Sequence, residues 1–199
     1  EHREHIRVDF NIYAAQMQEQ YTKDADARYV MQSTTADNML CEQISANFIE
    51  CLANMFNGVL CYSNDCPGLV ETSSNLASGR MEKESIRVVT SQRSLIYRDI
   101  FKMTDSIAET FQKYGAIVER SGDYPGWTPN PQSFLLKRAK EEYLPLFGKQ
   151  IEARAIHAGL ECGLFTTKYP DMDMISIGPN VNCIHSPAEA LEVASVERV

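Results

Sequence analysis

The sequence predicts an α+β protein: a ferredoxin-like β-α-β-β-α-β domain over residues 1–121, then a shorter, incomplete segment over 122–199. Three observations carry this. Near the start, apolar residues alternate at Ile6, Val8, Phe10 and Ile12, the period-two mark of a strand with one covered face. Two later stretches carry apolar stripes at helical spacing: Leu40, Ile44, Phe48, Leu52, Met55 and Ile96, Ile100, Met103, Ile107, Phe111. Three of the eight prolines then fall between Ser121 and Pro131, the composition of a domain boundary.

The elements follow in order. His5 to Ala14 reads as the first strand, and Gln16 to Met31 as an irregular segment. Ser33-Thr34-Thr35 offers an N-cap to a helix that runs to about Phe56 and stops at Asn57-Gly58. After a turn at Asn64 to Gly68, Leu69 to Ala77 and Ile86 to Thr90 read as strands. A helix opens at Ser94 or Arg98-Asp99 and ends at Tyr114-Gly115, and Ala116 to Arg120 reads as a strand. In the ferredoxin-like order, two helices cover one face of an antiparallel sheet. Beyond the prolines, a helix spans about Gln132 to Phe147 and Gly148 stops it. Ile151–Ile156 and Met172–Ile177 read as short strands. A turn begins at His157, leading to a short helix or loop. A last helix starts at Ser186-Pro187 and reaches Val199.

The chain has 199 residues, 44% hydrophobic and 23% charged, ordinary values for a globular protein. Acids outnumber bases 27 to 19, giving −8, which argues against a basic nucleic-acid-binding face. No apolar run approaches the ~20 residues that cross a bilayer, and the polar start does not read as a signal peptide. Six cysteines stand at 41, 51, 61, 66, 162 and 183 with no CxxC pair. A chain of this size needs no disulfide framework, so a reduced, cytoplasmic protein is expected. A redox or metal role for Cys61 and Cys66 is the weaker reading. The first residue is not Met, the second segment is too short to bury a parallel sheet alone, and the last helix has no stop signal. Together these predict a piece of a longer protein.

Nucleophile-elbow, phosphate-loop and dinucleotide fingerprints are absent from the sequence. His2 and His5 read as a solvated terminus. His185, after a Gly-Pro break and before Ser186-Pro187, stands where α/β sites form; its residues alone leave it open between a structural role and metal ligation. His157 and Glu161 are four apart around Gly159, and a packing histidine is favoured over a ligand pair there. Gly159 is either a turn glycine or a place where substrate nears the backbone. Arg93 is either a solvated arginine or a guanidinium that grips a carboxylate bidentately. Tyr124 and Trp127 read as a hinge packed on apolar surface.

Several blocks, in order, resemble one family. They are Asn57-Gly58-Val59, Gly68-Leu69-Val70-Glu71-Thr72-Ser73, Arg93-Ser94-Leu95-Ile96 and Gly122-Asp123-Tyr124-Pro125-Gly126-Trp127. Then come the nine residues from His157 to Phe165, Met172 to Pro179, and His185-Ser186-Pro187. This pattern is similar to the aminoacyl-histidine dipeptidases, di-zinc metallopeptidases related to carnosinases and carboxypeptidase G, whose catalytic domain carries an inserted lid.

The resemblance implies that 1–121 is lid and that 122–199 is the C-terminal part of an α/β zinc-peptidase catalytic domain. It implies that His185 is a zinc ligand, that Arg93 holds the substrate's carboxylate and that Gly159 lines the substrate pocket. It implies hydrolysis of dipeptides such as Xaa-His. Two zinc ions would polarise the carbonyl and acidify a water, and a glutamate base would take its proton. It also implies a homodimer formed through the lid. The other zinc ligands and the base belong to the family's N-terminal part, so this chain alone should be inactive. The family carries proline before the zinc histidine and an acid after Ser-Pro; this chain has Ile184 and Ala188 there. A reading from a different class is a non-catalytic lid or dimerisation module.

Overall fold

A computed structural model describes residues 2–22, 26–36 and 38–199. Residues 23–25, within the expected irregular segment, and residue 37, within the expected first long helix, lie outside the described residues. The fold mixes helices with small antiparallel sheets and divides into two compact units, 1–45 and 46–199.

In the first unit, α1 covers His2–Gln20, so the strand expected over 5–14 is a helix. The residues explain the correction. Arg3 to Gln20 holds no Gly or Pro and is rich in Glu, Gln, Ala, Met and Arg, the better helix formers. Phe10, Ala14 and Met17 are its half-buried residues, and their spacing of four and three is helical. The alternation at 6, 8, 10 and 12 ran across that stripe, and Ile6, Val8 and Ile12 are exposed.

α2 covers Glu42–Asn54, starting well after the expected cap at Ser33–Thr35. The residues before it include Ser33, Thr34, Thr35 and Asn38, which favour helices weakly. From Ala46 onward it belongs to the larger unit. There, β1 (Gly58–Tyr62), β2 (Val70–Met81) and β3 (Ile86–Ser94) form one antiparallel sheet in the order β1-β2-β3. β1 was not foreseen from the sequence. β2 and β3 are joined by a tight turn in which Glu82 N–H donates to Ser85 C=O at 2.8 Å. α3 (Tyr97–Lys113) packs on β2 and β3 and ends where Gly115 takes φ +85°, a conformation that suits glycine. Met55, Met103 and Ile107 form the core cluster, with Phe111 against it.

The strand expected at 116–120 does not form. Ile117 is 95% exposed, and Arg120 reaches back to Asp105 of α3 at 2.6 Å. The described chain therefore runs α-α-β-β-β-α up to residue 121, not β-α-β-β-α-β.

α4 covers Phe134–Phe147. Ser133 Oγ caps it by accepting from Leu136 N–H at 2.9 Å, and Gly148 closes it in the left-handed region. Asp173 adds a second N-terminal acceptor, taking Leu135 N–H at 2.8 Å. α5 covers Glu161–Lys168. Residues 151–156 and 172–177, expected as strands, are irregular. A parallel strand needs neighbours on both sides, and none of the described residues supplies them. Instead, Glu152 and Arg154 pair with each other at 2.8 Å. The helix expected from Ser186 onward is reduced to α6, Val193–Val196, after a two-residue ladder of β4 (Val181–Asn182) with β5 (Ala190–Leu191). Ser186 Oγ explains the change: it accepts from Ala188 N–H and donates to Cys183 C=O, which closes a turn where a helix would have started. No described helix is long and apolar enough to cross a membrane.

Candidate functional site

The site is built on the β2–β3 ladder. Thr72 faces Ser94, Ser73 faces Arg93 and Ser74 faces Gln92. Successive side chains point to opposite faces of a sheet, so these three pairs divide. Thr72, Ser74 and Ser94 are buried. Their hydroxyls are satisfied, with Thr72 Oγ1 2.8 Å from Ser94 Oγ and Gln92 Nε2 donating to Ser74 Oγ at 3.2 Å. Ser73 and Arg93 are left on the other face, where Arg93 is exposed.

A distant stretch comes to that face. His157 Nε2 lies 2.7 Å from Ser73 Oγ, 84 residues away in the chain. The ring is half-buried. Burial and then the Arg93 guanidinium push it below the usual histidine range, against a backbone hydrogen bond at Val70 that favours the charged form. At neutral pH the imidazole is therefore uncharged.

Gly159 follows two residues later. A Cβ there would run into the ring of Tyr124, so the aromatic occupies the space a side chain would need. The rest of the 122–128 stretch is stitched to the end of β3 and the start of α3. Tyr97 OH donates to Asp123 Oδ2 at 2.6 Å, and Thr128 Oγ1 donates to Leu95 C=O at 2.8 Å. A Cβ on Gly126 would strike the Ser94 carbonyl, and one on Gly163 the Pro125 carbonyl.

The structure thus brings Arg93 together with His157, and His157 carries the turn that holds Gly159. His185 has different surroundings. It is exposed, has φ +64°, and its N–H donates to Glu189 Oε2 at 2.8 Å. Its contacts are local to the 183–189 loop. Among the described residues, no three His, Cys, Asp or Glu side chains are placed to hold a metal ion. Two clefts, of about 380 and 420 Å³, lie beside Trp127 and beside Met103, and neither is lined by Arg93, Gly159 or His185. All six cysteines are unpaired, and burial pushes the Cys51 thiol up.

Sequence reasoning missed Ser73 and Tyr124 as parts of this arrangement and read His157 as a packing residue. The signal was present, since Ser73 and His157 stand at the ends of two of the resembling blocks.

No family model matches the chain. It is 40% identical over 152 residues to the cytosol non-specific dipeptidase of Escherichia coli (strain K12), covering 75% of this chain and 31% of that protein. Its fold matches the crystal structure of aminoacylhistidine dipeptidase from Vibrio alginolyticus with a TM-score of 0.81 and 31% identity. That match covers 98% of this chain and 40% of the solved one. The chain is a relative of these dipeptidases. It spans about a third of the curated relative's length and two-fifths of the solved enzyme's. The family resemblance drawn from its motifs agrees with both.

Proposed function

We propose that this chain is part of a zinc dipeptidase that hydrolyses dipeptides, Xaa-His among them, and that it supplies the grip on the substrate's C-terminal carboxylate. The observation that carries this is its relation to two dipeptidases, one over three quarters of its length and one over nearly all of it. The geometry adds support. Arg93 is exposed and stands opposite Ser73 on the face that receives the Gly159 turn. A guanidinium in that position suits a free carboxylate, which explains a preference for short peptides.

In this reading, residues 1–121 are the lid and 122–199 are the last part of the catalytic domain. The parent is a cytoplasmic homodimer that pairs through the lid. A zinc site takes three or four protein ligands. The described residues offer His185 without such a group, so the chain alone does not fit a zinc pair. As part of a longer polypeptide, His185 is the residue that would contribute to one. The remaining ligands and the general base would come from the additional length that the relatives possess.

The second reading is a lid or dimerisation module with no activity of its own, in keeping with the absence of a three-ligand group among the described residues. One assay separates the possibilities. A dipeptide is incubated with added zinc and either the 199-residue chain or a polypeptide of the relatives' full length. Turnover by the longer protein alone is expected. Turnover by the short chain would refute its dependence on outside ligands, and turnover by neither supports the non-catalytic module.

A further inference from the structure

The β2–β3 ladder and the turn at His157 are joined by a side-chain hydrogen bond between Ser73 Oγ and His157 Nε2. With the division proposed above, Ser73 and Arg93 belong to the lid, and His157 and Gly159 to the catalytic part. The bond therefore crosses from one to the other. Ser73 is also the ladder partner of Arg93, and side chains directly opposite on one face of an antiparallel pair are neighbours. The side chain that His157 engages is thus the one opposite Arg93.

We propose that His157 is a positioning residue for substrate recognition: as a neutral imidazole it accepts from the Ser73 hydroxyl and so holds Arg93 beside the turn that carries Gly159, and protonation of the ring reverses that hydrogen bond and sets a like charge against Arg93. This inference rests on the dipeptidase reading and names the device that sets its carboxylate grip.

The chemistry follows from lone pairs and charge. A neutral ring that carries its proton on Nδ1 accepts at Nε2 the hydrogen bond that Ser73 Oγ–H donates. An imidazolium has no acceptor, so Ser73 must turn its hydroxyl and accept instead. The new charge also has the sign of Arg93. Arg93 on β3 is the charge that acts on the ring. The other ionisable groups on the elements that meet there are Glu71 and Arg80 on β2, Arg87 on β3, Tyr124 against Gly159, and Glu161, Cys162 and Lys168 on α5. Half-burial and Arg93 together favour the neutral ring, so at neutrality it is an acceptor for Ser73, and in acid it is a charged donor that repels Arg93.

The test uses the full-length protein with a dipeptide substrate, and kcat and KM are measured from pH 5 to 8. His157→Gln and Ser73→Ala should each raise KM roughly fivefold to tenfold while kcat stays within about twofold. Both should flatten the acid limb of kcat/KM, which reports groups of the free enzyme. His157→Gln should be milder than His157→Ala, because a glutamine amide oxygen can still accept from Ser73. Ser73→Ala removes only a hydroxyl and keeps the test alive if the His157 variants fail to fold. Histidine-selective NMR gives a second readout. The signal that His157→Gln removes should titrate below the usual histidine range and move up in Arg93→Ala. Wild-type KM and pH profile in both Ser73→Ala and His157→Gln, with KM raised in Arg93→Ala, overturn the role of His157 and leave the carboxylate grip standing. An unchanged Arg93→Ala, or no dipeptide turnover by the wild type, overturns the underlying reading and this inference with it.

Discussion

Arg93 and His185 belong to two parts of one expected active site, yet the chain furnishes them differently. Around Arg93 everything comes from within: a ladder partner in Ser73, an imidazole from 84 residues away, and a glycine turn seated on Tyr124. Around His185 the chain offers a surface loop, a left-handed backbone and one local carboxylate. The difference teaches which half of the site this stretch can build alone. Grip on a carboxylate needs one charge held by a sheet. A metal centre needs several donors converging from separate elements, and these are not among the described residues.

The comparison can be broken or sharpened by substitution. The largest expected effect is Gly126→Ala, where a methyl would meet the Ser94 carbonyl with backbone on both sides. Overpacking of this kind should cost about 3 kcal/mol in urea denaturation. Gly178→Ala, with nothing within 4 Å, should stay within about 0.5 kcal/mol. Equal losses at the two positions would erase the distinction between a stitched junction and a loose C-terminal stretch. Next comes Ser133→Ala, which removes the cap of α4 and should cost about 1 kcal/mol by the same measurement.

The smaller effects are in pH. His157 titrates lower in the folded chain than in the unfolded one. The unfolded state therefore binds more protons as pH falls below the ordinary histidine value, and stability declines from there down through the folded titration. His157→Gln should remove that decline. Asp173 is held below the usual carboxylate range, first by Leu135 N–H and then by Ser133. Its contribution is complete above the ordinary aspartate value and is lost as pH falls through its lowered one. Asp173→Asn should flatten the acid end of the stability profile, and a profile identical to wild type would separate Asp173 from the capping of α4.

Much of the middle of the chain was legible in its residues. The stripe from Ile100 to Phe111 with Gly115 after it, the β-branched run at Val88-Val89, and the stop at Gly148 each report a local preference that the fold obeys. α1 was misread because four alternating residues outweighed the 3.6-residue spacing of Phe10, Ala14 and Met17. The strands expected after residue 150 failed for a different reason. Their apolar runs suit burial between neighbours that this stretch does not contain. Arg93 and Gly159 could be singled out from sequence, but their link could not. It passes through Ser73 and His157, and no local pattern records a contact over 84 residues. His185 was visible as a residue, but its solvent-facing loop followed only from the Ser186 turn.

The central claim, that Arg93 receives the terminal carboxylate of a dipeptide, is tested most directly in the full-length protein by comparing a dipeptide with its C-terminal amide, in wild type and in Arg93→Ala. Loss of a charge-assisted contact of ~1.5–3 kcal/mol should lower kcat/KM for the free acid roughly tenfold to hundredfold. The amide, already a poor substrate, should be indifferent to the substitution. Equal kcat/KM for the free acid with and without the guanidinium would contradict the account.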